Sequence, residues 1–112
     1  NVQRSKIALE KAQLNYEQQE LDLERNVYTA YTDTNAAKET YEAALETLAA
    51  RKLSYEYAQE RYRVGLMNVF DFNQVQTQLA NAESEVLRTK YDYIFRTKIL
   101  EFYFGIPLIQ NN

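Results

Sequence analysis

A stripe of apolar and small residues, interrupted once by Arg51, recurs along this chain in steps of alternately four and three: Ala37, Tyr41, Ala44, Leu48, Arg51, Tyr55, Ala58, Tyr62. That is the 3.5-residue period of a coiled-coil seam. A second run, Phe72, Val75, Leu79, Ala82, Val86, Thr89, Tyr93, repeats the pattern. Nearer the N-terminus Ile7, Leu14, Leu21 and Tyr28 follow one another at heptad spacing, with Leu9, Ala12, Tyr16 and Leu23 on a neighbouring face. The second run has a companion line too, Leu87, Tyr91, Ile94. Two apolar lines per helix predict neighbours on two sides, as in a bundle or a closed ring of helices.

Between the two runs lies Tyr62-Arg63-Val64-Gly65-Leu66-Met67-Asn68-Val69, holding the only glycine before Gly105. A glycine between two uninterrupted helical patterns predicts a hairpin with its tip there. Asn68 is a candidate N-cap for the second arm, with Asp71 in its first turn at the positive end of the helix dipole. Gly105 followed by Pro107 predicts the stop of that arm. The expected fold is all-α, a long antiparallel coiled-coil helical hairpin with unequal arms. It is laid out as a helix over about 2–63, a tip turn over about 64–68, a helix over about 69–104 and an irregular tail over 105–112.

At a rise of about 1.5 Å per residue the first arm spans roughly 93 Å and the second roughly 54 Å. Folded back from the tip, the second arm reaches only the neighbourhood of residue 27. Residues 1–26, with Ile7, Leu9, Leu14, Leu21 and Leu23, are therefore expected to lack a partner within the chain. Something outside it must cover them, and a hairpin isolated from that cover is expected to self-associate. The first residues, Asn1 to Lys6, already follow the helical pattern and carry no apolar core of a secretion signal. The chain thus reads as a piece of a longer protein.

Composition narrows function by exclusion. In 112 residues there are two Gly, one Pro, no His and no Cys. Without His and Cys, catalytic triads, thiol chemistry, zinc sites and the Glu-x-x-His di-iron pattern of helical bundles lose their ligands or bases. The carboxylates Glu10, Glu17, Glu20, Glu24, Glu42 and Glu46 are spaced as on a solvated helix face, and no pocket for paired acid–base work is marked. No catalytic residue, metal site or cofactor is expected, and an enzyme is not. A net charge of −3 without a basic cluster argues against nucleic acid. It also argues against a membrane-curving coiled coil, which needs a basic face. No stretch approaches the roughly 18 apolar residues of a membrane helix.

The tip carries a resemblance. Arg61-Tyr62-Arg63-Val64-Gly65-Leu66-Met67-Asn68-Val69-Phe70-Asp71-Phe72, followed by Gln74, Gln76, Leu79, Ala82 and Tyr91-Asp92-Tyr93, is similar to the TolC-like outer membrane efflux proteins. The likeness covers nearly the whole chain, from Ala44 to Ala58 on the approach and through Phe104-Gly105 at the close. It implies the second periplasmic hairpin of a homotrimer, whose hairpins form a helical tunnel hanging from an outer-membrane β-barrel. It implies as partners a periplasmic adaptor protein and, through it, an inner-membrane pump. By the same resemblance Val64, Gly65 and Leu66, with Met67 and Asn68 beside them, form the adaptor-binding tip. Tyr62, Asp71 and Gln74 fall on gate positions at the pore entrance. The family pattern has an arginine where this chain has Met67 and a second aspartate where it has Gln74, so the charged link of the gate is altered. Arg63 stands near enough in sequence to substitute. The competing expectation is a coiled-coil scaffold or interaction hairpin unrelated to efflux.

Overall fold

A computed structural model describes the backbone of residues 2–110 and the side chains of residues 2–105. Two helices account for it, α1 over Val2–Arg63 and α2 over Val69–Gln110. They fold back on each other into a plank of 93 × 29 × 14 Å. The thickness is about one helix diameter and the width about two, so this is a single pair of helices side by side, with no third element among the described residues.

The seam follows the heptad pattern. On α1 the residues with reduced exposure are Val27, Ala30, Thr34, Ala37, Tyr41, Ala44, Leu48, Tyr55 and Ala58. The stripe expected to begin at Ala37 thus continues ten residues further toward the N-terminus. On α2 the facing positions run from Phe72 and Val75 through Ala82 and Thr89 to Tyr103. The buried ones are all small: Ala37, Ala44, Ala58, Ala82, Thr34 and Thr89. Small residues let the backbones approach, and rings at intermediate positions fill the spaces between. Tyr41 lies against Tyr93 with centroids 6.1 Å apart, and Tyr55 against Phe72 at 5.8 Å. Arg51 occupies a seam position yet stays exposed, its guanidinium donating to Gln78 Oε1 at 3.1 Å across the seam. Thr34 ties the far end, its hydroxyl placed on both the Ala30 carbonyl, at 2.7 Å, and the Arg96 carbonyl of the other helix, at 3.2 Å.

The unequal arms appear as expected. Every described residue from Val2 to Asn26 is exposed, including Ile7, Leu9, Leu14, Leu21 and Leu23. One expectation fails. The second arm does not stop at Gly105, and its backbone is helical to Gln110. A glycine ends a helix by taking a positive φ, and Gly65 is the only described residue that does so. Gly105 keeps a helical backbone. Pro107 lacks a main-chain donor and ordinarily breaks or kinks a helix interior, yet the backbone is helical through it. Of the expected irregular tail, Asn111 and Asn112 lie outside the described residues.

Candidate functional site

The tip is where sequence, geometry and exposure converge. α1 ends in a six-residue main-chain motif: the Leu66 N–H donates to the Arg61 carbonyl at 2.8 Å and the Gly65 N–H to the Tyr62 carbonyl at 3.1 Å. Such a cap needs a left-handed residue at its fifth position, the donor of the inner bond, and Gly65 supplies it with φ of 82°. α2 then starts on Asn68. Its Oδ1 accepts from the Asp71 N–H at 2.8 Å, and its carbonyl accepts the first helical bond, from the Phe72 N–H at 3.1 Å. The Asn68 side-chain amide also donates to the Asp71 carboxylate at 3.3 Å. Asn68 is thus the N-cap of α2, its side chain bonding both the main chain and the carboxylate of Asp71.

The turn is therefore closed by main chain, one glycine and the Asn68–Asp71 pair. The apolar residues around it are left outside. Val64 is 50% exposed, Leu66 71%, Val69 51% and Phe70 84%. A cap of this kind is usually accompanied by an apolar contact from the residue after the glycine back onto the last helical turn. Here the residue it would meet is Arg61, and Leu66 remains in solvent. Four exposed apolar side chains within seven residues make a patch that folding does not explain.

Beneath the patch the tip is fastened. Tyr62 stacks on Phe72 with centroids 4.6 Å apart and planes at 12°, and Tyr55 covers the same phenylalanine from further up the seam. Tyr62, an expected gate residue, thus has its ring in the seam while remaining partly exposed. Asp71, the second, is engaged in the cap through one oxygen and exposed to solvent. Gln74 is exposed on the next turn, and Met67 is half-buried under the turn. Arg63 does not reach across the tip; it pairs with Glu60 of its own turn. Phe70 was not singled out from the sequence, although the signal was there. It sits opposite the seam on the first turn of α2, where a polar residue is the rule on an isolated hairpin.

Two depressions lie at the other end of the seam. One, of about 200 Å³, is lined by Asn26, Thr29, Ala30, Asp33, Arg96, Ile99 and Tyr103. Its charged groups are paired: Arg96 bridges Asp33 at 3.5 Å and, just outside the depression, Asp92 at 3.2 Å. The other, of about 400 Å³, is an apolar groove of Leu23, Val27, Tyr28, Tyr31 and Phe104 at the top of the exposed stripe. Neither gathers groups that could carry a reaction. Elsewhere the charges form local helical pairs, such as Arg88 on Glu85, whose hydrogen bond holds that carboxyl below its ordinary range.

A family model described as outer membrane efflux protein matches residues 1–105. The chain belongs to that family. It is a component of an outer-membrane efflux channel, and the family is one of transport components rather than enzymes. The extended helical hairpin agrees with that membership, and no helix among the described residues is long and apolar enough to cross a membrane. No curated protein and no solved structure matches the chain.

Proposed function

We propose that this efflux-protein segment is a periplasmic tunnel-wall hairpin of a homotrimeric channel, and that its tip docks a periplasmic adaptor linked to an inner-membrane pump. The observation that carries the docking role is the apolar tip. Val64, Leu66, Val69 and Phe70 are exposed around a turn that is already complete without them. A partner of matching shape would gain roughly 2 kcal/mol for each such side chain fully buried. Met67 and Asn68 complete the docking surface. Tyr62, Asp71 and Gln74 bound the entrance on the adjoining turn, with Asp71 serving both the cap and the pore.

The test is made in the full-length protein. Leu66→Asp places a charge where the partner must desolvate it, at a cost of several kcal/mol, and touches nothing that closes the turn. Efflux, read as drug susceptibility, should be lost while the trimer stays in the outer membrane. Asp71→Ala should leave efflux and assembly and raise the leak current of reconstituted channels. Full efflux with Leu66→Asp would show that the adaptor docks elsewhere.

A further inference from the structure

The plank has two edges and two broad faces, and they differ in chemistry. In coiled-coil notation, with Thr34 of α1 and Phe72 of α2 at position a, the seam takes a and d, and e and g flank it on opposite faces. Each outer edge carries an apolar or small line among polar residues such as Glu42 and Glu46 of α1 and Arg88 and Glu101 of α2. That of α2 shows Leu87, Ile94, Phe95 and Phe102, and that of α1 shows Ala36, Ala43, Ala50 and Tyr57. Those apolar lines are where neighbouring helices can pack on both sides, which leaves the broad faces for water.

The two faces are not equivalent. In an antiparallel pair g faces g, and the contacts confirm that the g positions of both helices share one side. Arg96 bridges Asp33 of α1 and Asp92 of α2, and Arg51 reaches Gln78. From residue 26 to 54 the g line of α1 reads Asn26, Asp33, Thr40, Thr47, Ser54, all short. The e line on the opposite face reads Tyr31, Lys38, Leu45, Lys52, Gln59, all long. On α2 the carboxylates of the g side are tied down, Asp92 by Arg96 and Glu85 by Arg88.

When helices close into a ring, the inward half of each has less circumference than the outward half. Side chains flanking the seams on the concave face must therefore be shorter to pack at ordinary density. From this asymmetry, and resting on the channel reading above, we infer that the face carrying Thr40, Thr47 and Ser54 with Gln78, Glu85 and Asp92 lines the tunnel. Lys38, Leu45 and Lys52 then face the outside. The lumen wall over this stretch is one of hydroxyls and arginine-clamped carboxylates, which keeps the bore wide and hydrated.

The test uses full-length channels in a background without cysteine, which this segment already satisfies. Thr47→Cys and Ser54→Cys are compared with Lys52→Cys and Gln59→Cys in planar bilayers, each treated with a bulky charged thiosulfonate. Stepwise loss of conductance at Thr47 and Ser54, with none at Lys52 and Gln59, is the expected result. Loss at the e positions alone, at all four, or at none while mass spectrometry shows complete labelling, overturns the assignment. Absence of any pore from the unsubstituted protein would instead overturn the channel reading itself.

Discussion

At the scale of the residue, the tip depends on two side chains whose roles differ in kind. Gly65 is needed for its φ and not for its size, since an added Cβ would meet nothing within 4 Å. Gly65→Ala should therefore cost about 1 kcal/mol, the ordinary penalty of a left-handed residue with a Cβ. Gly65→Asn should cost less, because Asn tolerates that region. Thermal unfolding of the assembled protein gives the order, and an equal loss for both variants would point to a steric clash instead. Asn68→Ala removes an N-cap and should cost a further ~1 kcal/mol. These roles were legible because caps and turns obey local rules over a few residues. Phe70 was legible only from its place opposite the seam, because beside a turn an apolar residue looks the same whether it packs inward or outward.

Helices are joined here by a seam in which alanines bring the backbones close and rings fill the remaining space. Phe72 is the ring that links tip to arms, lying between Tyr55 and Tyr62. Phe72→Ala should destabilise the tip by roughly 2 kcal/mol, below the 3–5 of a fully buried phenylalanine because Phe72 is only half-buried. Hydrogen exchange should quicken for amides of residues 58–75 and stay unchanged around Thr34 and Thr89. Uniform acceleration along both arms would mean that the hairpin opens as one unit. Period and pairing of the seam were readable from the 3-and-4 spacing alone. The end of α2 was not. Gly and Pro are statistical stop signals, and whether Gly105 turns left-handed depends on its surroundings rather than on its identity.

For the whole molecule, asymmetry is the dominant fact. Some twenty-five residues of α1 extend past the seam with their apolar stripe in water, and the outer edge of α2 exposes Leu87, Ile94, Phe95 and Phe102 as well. The segment taken alone should associate through these surfaces, with open hairpins exchanging arms as one route. Sedimentation at micromolar concentrations should show dimers or larger species, and a folded monomer throughout would contradict this. Unequal arms could be derived by counting residues from Gly65. What covers the long arm could not, because periodicity reports that a face wants a partner and never which one.

The way the turn is closed has one more implication. Main-chain bonds, a glycine and one Asn–Asp pair hold it, so Val64, Leu66 and Phe70 carry no folding duty. Their identities can drift without endangering the hairpin. A library randomised at those three positions, with Gly65, Asn68 and Asp71 kept, should yield mostly assembled channels that differ in which pumps they serve. The tip would then behave as an interchangeable key on a fixed shaft, and compatibility between export systems could change through three codons.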